Sequence, residues 1–171
     1  MFEAQTEWIA PDNFPDLSGY KLIAIDLETR DPDLKSKGSG AVIGNGEIIG
    51  VAVAVDGWCK YYPFGHEGGG NLDKKRILQW VADICATQAT KIFHNAMYDV
   101  CWLRSYGIKI NGHIVDTMVM ASLVNENRMR YTLNALSWEY LGERKSEATL
   151  FEIAKNWGID AKAELYKLPA I

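Results

Sequence analysis

The chain has 171 residues, of which 48% are hydrophobic and 23% are charged, and this composition is that of an ordinary globular domain. Its net charge of −4 argues weakly against a nucleic-acid partner, although a site that holds metal ions through carboxylates must itself be acid-rich. The N-terminus has no secretory signal pattern and no apolar run could span a bilayer, so we expect a soluble, intracellular protein.

The first half of the chain predicts three strands. An aliphatic, β-branched run at 20–26 follows a Pro- and Gly-containing entry, which is typical of a buried strand. Residues 31–46 are rich in Gly, Ser, Asp and Lys and predict a mobile loop. Strands are then expected at 48–55 and 58–64, because Asp56-Gly57 between them is a strong hairpin signal.

The second half predicts alternating helices and strands. A Gly-rich loop comes first, and the later elements are a helix at 73–86, a strand at 91–94, a helix at 96–106, a strand at 113–116, a helix at 117–124, a helix capped by Thr132 and ended by Gly142, and one or two helices within 147–168. An antiparallel start followed by strand–helix alternation indicates an α/β fold with a mixed sheet flanked by helices. No repeat or linker divides the chain, so we expect a single domain.

The first candidate site is Asp26-Leu27-Glu28-Thr29, at the carboxyl end of the first predicted strand. Side chains two apart on a strand share a face, so Asp26 and Glu28 can both reach one cation. Two carboxylates this close repel each other, and a bound divalent ion removes that penalty. The alternative interpretation is that the pair simply ends a strand at the surface.

The second candidate site is His94-Asn95-Ala96-Met97-Tyr98-Asp99, where a strand turns into a helix. Asn95 is well suited to cap that helix, and Asp99 falls in its first turn, where the helix dipole favours an anion. Alternatively, Asp99 could have the structural role of stabilising the start of the helix and no other role. If the strands before Asp26 and Asn95 are neighbours in one sheet, however, Asp99 lies at the same edge as Asp26 and Glu28.

These patterns in this order resemble the first two motifs of the DEDD exonucleases. Two later segments, 113–118 and 131–142, further resemble the 3′–5′ proofreading exonuclease domains of DNA polymerase I-like (family A) enzymes. The resemblance covers residues 21–168 and implies a ribonuclease-H-like mixed sheet. It also implies a metal-dependent exonuclease that removes nucleotides from DNA 3′ ends, inside a bacterial or virus-infected cell.

The resemblance implies a role for each motif residue. Asp26, Glu28 and Asp99 would be catalytic and would hold two divalent ions, Mg²⁺ or Mn²⁺, with Asp26 bridging both. Thr29, Asn95 and Tyr98 would contact the terminal nucleotide of a single-stranded 3′ end. A polymerase domain would be the partner in a longer polypeptide.

The family's third motif, Tyr-x-x-x-Asp, is missing. No tyrosine here has Asp four positions later, and the one nearest in position, Tyr166, is followed there by Ala170. We therefore expect 1–171 to be an exonuclease domain that is incomplete at its C-terminus, with activity reduced by orders of magnitude. Two alternatives stay open, a ribonuclease D-like exoribonuclease and a catalytically silent nucleic-acid-binding domain.

Several other residues have competing interpretations. Asp116 is expected to cap the helix at 117–124 rather than bind metal. Four basic residues could contact a phosphate backbone or lie on solvated helix faces: Arg128, Arg130, Arg144 and Lys145. Aromatic residues on the third predicted strand could stack on bases, although packing is the more common role: Trp58, Tyr61, Tyr62 and Phe64. His66 has no partner at ligand spacing and receives no role.

Overall fold

The computed structural model describes residues 8–143, 148–160 and 163–170. Its sheet consists of β1 (Leu22–Arg30), β2 (Glu47–Val55), β3 (Trp58–Pro63), β4 (Thr90–Phe93) and β5 (Ile114–Asp116). The strand order is β3-β2-β1-β4-β5. The β1–β2 and β2–β3 pairs are antiparallel, whereas β1–β4 and β4–β5 are parallel. The predicted mixed sheet is therefore present.

Helices connect and follow these strands. They are α1 (Leu34–Lys37), α2 (Gly40–Ile43), α3 (Lys74–Ala86), α4 (Ala96–Ser105), α5 (Thr117–Val124), α6 (Leu133–Leu141) and α7 (Ala148–Trp157), followed by a short 3₁₀ turn at Leu165–Lys167. Thr132 accepts a hydrogen bond from the N–H of Ala135, so it caps α6 as predicted. None of the helices in the described part of the chain is long and apolar enough to cross a membrane.

The segment at 31–46, predicted to be a mobile loop, contains α1 and α2 instead. The Asp31 carboxylate accepts hydrogen bonds from the N–H of Gly40 at 3.0 and 3.1 Å. The Asp33 carboxylate accepts one from the Asn45 side chain at 2.8 Å and pairs with Lys37 at 3.0 Å. These carboxylate contacts within the segment order a stretch whose composition alone indicates a loop.

Strand β1 divides its side chains between two faces of the sheet. Ile23, Ile25 and Leu27 are buried in the core that α3 and α4 cover, whereas Asp26 is exposed and Glu28 is partly exposed. This alternation follows from the two-residue period of a strand. β1 continues to Arg30, beyond the predicted end of this strand at Asp26, so Glu28 lies within it.

The C-terminal segment is attached to the loop that follows β3. The N–H of Glu67 donates to the carbonyl of Tyr166 at 2.8 Å, and the N–H of Ala170 donates to the carbonyl of Gly69 at 3.0 Å. The Arg30 guanidinium lies over the Tyr166 ring, 4.8 Å from its centre. The last described residues therefore lie beside the end of β1.

Candidate functional site

The three candidate carboxylates lie at one edge of the sheet. Asp26 and Glu28 are on β1, and Asp99 is in the first turn of α4. Because β1 and β4 are parallel neighbours, the helix that follows β4 starts beside the carboxyl half of β1. The Oδ1 atom of Asp99 accepts a hydrogen bond of 3.0 Å from the backbone N–H of Leu27, which lies between Asp26 and Glu28.

The Asp99 carboxyl is in an unfavourable place for a negative charge. The residue is only 4% exposed. Burial, together with the charges of Asp26 and Glu28, raises the pKa of Asp99 to about 7, although the hydrogen bond from the Leu27 N–H acts in the opposite direction. A cation held between these carboxylates would remove the repulsion and favour ionised Asp99.

The start of α4 differs from the sequence prediction. Asn95 is the N-cap residue, with a left-handed φ of 66°, but its side chain makes no capping hydrogen bond. The Asp116 carboxylate instead accepts hydrogen bonds from the N–H groups of Asn95 and Ala96 at 3.1 and 2.8 Å. A short polar residue tolerates this backbone conformation, and the acceptor comes from β5.

Asp116 also caps α5, as predicted. It accepts hydrogen bonds from the N–H groups of Met118 and Val119 at 2.9 and 3.3 Å. Its hydrogen bonds to backbone N–H groups lower its pKa, although its partial burial acts in the opposite direction. The carboxylate therefore joins the starts of two helices, which is a structural role.

The hydroxyls of Thr29 and Tyr98 bind each other at 2.7 Å. The Tyr98 hydroxyl also donates to the Asp31 carboxylate at 3.0 Å. Two of the predicted substrate-binding residues, Thr29 and Tyr98, are thus connected at the end of β1, while Asn95 is exposed at the start of α4. The Thr29–Tyr98–Asp31 contacts hold α4 against the strand that carries Asp26 and Glu28.

The donor set suits hard divalent cations, because carboxylate oxygens are the ligands that Mg²⁺ and Mn²⁺ prefer. Within residues 8–143, 148–160 and 163–170, however, no three His, Cys, Asp or Glu side chains converge closely enough to form a metal-binding group. The three candidate carboxylates are neighbours whose side chains are not gathered around one point.

Sequence reasoning gave Tyr61 a packing or base-stacking role and His66 none, and it did not place either residue near the carboxylates. A cavity of ≈ 520 Å³ on the exposed face of the sheet is lined by Asp26, Tyr61 and His94, among others. Tyr61 in turn contacts the buried His66 through a hydrogen bond of 2.7 Å. Nothing in the local sequence distinguishes Tyr61 from its neighbour Tyr62, which is fully buried in the core.

The other candidates are outside this edge or engaged elsewhere. Arg128 forms an ion pair with Glu139 and a hydrogen bond to Tyr140, so it belongs to the α6 surface. Arg144 and Lys145 lie outside the described residues. Phe64 packs in the core with Tyr62, which agrees with the packing interpretation of these aromatics.

Comparison with known sequences identifies a matching family and several relatives. A family model described as 3′–5′ exonuclease matches residues 4–167. A DNA-directed DNA polymerase of Pseudomonas phage M6 is 35% identical over 172 residues, which cover 96% of this chain and 26% of the phage protein. DNA polymerase I of Chloroflexus aurantiacus is 32% identical over 81 residues, which cover 47% of this chain and 8% of that enzyme. The chain thus spans about a quarter or less of these relatives.

Solved structures share the fold. Brucella melitensis NrnC with bound Mg²⁺ superposes with a TM-score of 0.58 at 17% identity, covering 82% of this chain and 62% of NrnC. Escherichia coli RNase D, an exoribonuclease, gives a TM-score of 0.53 at 14% identity, covering 77% of this chain and 30% of RNase D. These similarities confirm the predicted ribonuclease-H-like α/β fold.

Proposed function

Since the chain belongs to the 3′–5′ exonuclease family, we propose that it removes nucleotides from the 3′ ends of DNA with Asp26, Glu28 and Asp99 as its catalytic carboxylates. The observation that carries this assignment is the hydrogen bond from the Leu27 N–H to the Asp99 carboxylate, 3.0 Å long. It fixes the third acid beside the strand that carries the other two.

The carboxylates act by binding two divalent ions, Mg²⁺ or Mn²⁺. When bound, such ions lower the pKa of a water that attacks the phosphodiester and stabilise the departing 3′ oxygen. The raised pKa of Asp99 supports this role, because a buried acid between two others gains from a nearby cation. Asp26, two positions before Glu28 on the same face of β1, would contribute to holding both ions.

The substrate is the single-stranded 3′ end of DNA. Asn95 is exposed at the start of α4, next to buried Asp99, and offers amide groups to a terminal nucleotide. Thr29 and Tyr98 lie next to this position and are connected by the hydrogen bond between their hydroxyls. We assign these three residues to substrate binding.

The domain acts in proofreading, as part of a family A DNA polymerase in a bacterial or virus-infected cell. The support is the identity of its relatives, since the phage M6 and Chloroflexus aurantiacus proteins are both DNA polymerases. A frayed or mismatched primer end would enter the site most readily because its terminal nucleotides are already unpaired.

The first test is Mn²⁺ binding measured by calorimetry on the wild type and the Asp26→Ala variant. Asp56→Ala is the matched control, because Asp56 is an exposed carboxylate in the distant β2–β3 turn. We expect Asp26→Ala to abolish binding and Asp56→Ala to leave it unchanged. Equal Mn²⁺ affinity in all three proteins would contradict the assignment. DNA and RNA oligonucleotides of one sequence then establish which substrate is preferred.

A further inference from the structure

Tyr61 lies on the same face of the sheet as the candidate carboxylates. Asp26 on β1 is opposite Ala52 on β2, and Ala52 is opposite Tyr61 on β3. Directly opposite residues in neighbouring strands point to the same side of a sheet. The cavity of ≈ 520 Å³ is accordingly lined by both Asp26 and Tyr61. Its volume is within the range of small-ligand sites, about 300–1,000 Å³.

The Tyr61 ring leans across the sheet towards Glu28. Gly50 is opposite Glu28, and a Cβ built on Gly50 would be 2.0 Å from the Tyr61 hydroxyl. The hydroxyl therefore occupies the space that a side chain at position 50 would fill. Opposite Cβ positions in antiparallel strands are about 4.5–5.5 Å apart, which brings the Tyr61 hydroxyl beside the base of the Glu28 side chain.

His66 fixes the direction of the Tyr61 hydroxyl. The Nδ1 atom of His66 is 3.2 Å from the carbonyl oxygen of Leu168, and Nε2 is 2.7 Å from the Tyr61 hydroxyl. A carbonyl oxygen can only accept, so Nδ1 carries the proton of the neutral ring and Nε2 is the acceptor. The Tyr61 hydroxyl consequently donates to His66, and its oxygen retains lone pairs for an O–H or N–H donor.

His66 is itself held firmly in place. It is 7% exposed. Its backbone N–H donates to the side-chain oxygen of Asn71 at 2.8 Å, and the Asn71 amide donates back to the His66 carbonyl at 2.6 Å. A buried histidine with both ring nitrogens and both backbone groups bonded is a rigid support for the residue it contacts.

From this geometry we infer that Tyr61 is a substrate-binding residue of the exonuclease site and that His66 is its positioning residue. The Tyr61 oxygen accepts a hydrogen bond from an O–H group bound beside Glu28. That group is either the 3′-hydroxyl of the terminal nucleotide or a water that bridges to the nucleotide. This inference rests on the proposed function, because it assumes that nucleotides bind at Asp26 and Glu28.

The test measures binding of 5′-labelled (dT)₄ by fluorescence anisotropy in Mn²⁺, for the wild type and Tyr61→Phe. We expect Tyr61→Phe to weaken binding about 3–10-fold, which corresponds to one neutral hydrogen bond. A second oligonucleotide ends in a dideoxynucleotide. If Tyr61 contacts the 3′-hydroxyl, the substitution has no effect on that oligonucleotide; if it contacts a water, both oligonucleotides are weakened equally.

Tyr62→Phe is the matched control. The Tyr62 hydroxyl donates to the carbonyl of Asn13 at 2.9 Å, so its loss should lower the melting temperature and leave (dT)₄ affinity unchanged. The single substitution His66→Phe should weaken (dT)₄ binding. Added to Tyr61→Phe, it should cause no further loss of affinity. The second result distinguishes a residue that acts through Tyr61 from one that only stabilises the fold.

The outcomes separate the two proposals. If Tyr61→Phe binds both oligonucleotides as tightly as the wild type, while Asp26→Ala still abolishes Mn²⁺ binding, the role of Tyr61 is overturned and the proposed function is retained. Absence of (dT)₄ binding by the wild type overturns the proposed function, and the role of Tyr61 with it. If His66→Phe does not fold, the comparison of Tyr61→Phe with Tyr62→Phe still decides the matter.

Discussion

The backbone N–H of Leu27 donates a hydrogen bond of 3.0 Å to the carboxylate of Asp99, which is 72 positions away in the chain. Leu27 buries its side chain in the core, so its backbone is fixed with the strand. The bond therefore holds Asp99 at a constant place relative to Asp26 and Glu28. Its position is also what gives Asp99 a pKa of about 7, because the carboxyl is buried and faces two acids.

Asp99→Asn is expected to stabilise the metal-free protein at high pH. Asparagine keeps an oxygen for the Leu27 N–H and removes the buried charge. An unfolded aspartate ionises near 3.9, whereas folded Asp99 has a pKa of about 7. Between these values the native state binds more protons than the unfolded state, so the free energy of unfolding of the wild type falls as pH rises.

The measurement is urea unfolding in EDTA at pH 4, 5.5 and 8 for the wild type and Asp99→Asn. Over this pH range the free energy of unfolding of the variant should rise relative to that of the wild type, by up to about 1.4 kcal/mol for each unit of difference between the folded and unfolded pKa values. Above pH 8 the difference in stability between the two proteins should stay constant. If the stability of the two proteins depends on pH in the same way, the pKa of Asp99 is not raised by folding.

The elements with regular apolar patterns could be predicted from the sequence. Strand β1, the β2–β3 hairpin and α3 lie close to their predicted positions, because strand and helix periodicities are local properties. The sequence predicted that Asp99 lies at the same edge as Asp26 and Glu28 only if the strands before Asp26 and Asn95 are neighbours, and β1 and β4 are parallel neighbours.

Features that depend on distant partners could not be predicted. Asn95 looks like a side-chain cap, yet Asp116, 21 positions later, satisfies the first N–H groups of α4. The cap preference of asparagine is a local statistic and contains no information on β5. His66 was similarly assigned no role because its partners, Tyr61 and Leu168, are defined by folding; the Leu168 carbonyl is 102 positions away.

Asp116→Ala is expected to destabilise the protein more than the loss of an ordinary helix cap. Asp116 accepts hydrogen bonds from the starts of both α4 and α5, whereas Asp73 caps only α3 through the Arg76 N–H. Asp73→Ala should lower the free energy of unfolding by about 0.5–2 kcal/mol, and Asp116→Ala by roughly twice as much. Urea unfolding at pH 7 measures both.

The loss of stability caused by Asp116→Ala should also depend on pH. Since the folded-state pKa of Asp116 is lowered, its contribution is complete above the unfolded value of about 3.9 and is lost as pH falls through the folded value. Equal effects of the two alanine substitutions at pH 7 would show that Asp116 supports one helix rather than two.

Gly50→Ala is expected to displace Tyr61. A Cβ at position 50 would be 2.0 Å from the Tyr61 hydroxyl and 2.4 Å from the ring carbon that carries it, so the ring must move and its bond to His66 must break. We expect (dT)₄ affinity to fall at least as far as in Tyr61→Phe. Gly19→Ala is the control, because nothing lies within 4 Å of a Cβ there. If Gly50→Ala binds (dT)₄ with wild-type affinity, the position of Tyr61 does not matter for oligonucleotide binding.

Lys91→Met is expected to destabilise the fold strongly without changing metal affinity. Lys91 is 0% exposed on β4, and its ammonium donates to the carbonyls of Ala89 and Asn111 at 3.0 Å and to the Thr87 hydroxyl at 3.1 Å. Its charge also lies just beyond the C-terminus of α3, where the helix dipole favours a cation. Burial lowers the pKa of Lys91, while the nearby Cys85 acts in the opposite direction.

Methionine keeps the volume of Lys91 and leaves these oxygens buried without a donor. Each such group costs about 1–3 kcal/mol, so the free energy of unfolding should fall by about 2–5 kcal/mol. Lys109→Met is the matched control; Lys109 is exposed, and its loss should change stability by less than about 0.5 kcal/mol. Lys91→Met proteins that remain folded should bind Mn²⁺ with wild-type affinity, because Lys91 pairs with Ile23, three residues before Asp26. A Lys91→Met protein as stable as the wild type would show that the buried ammonium contributes no more than an apolar chain of its size.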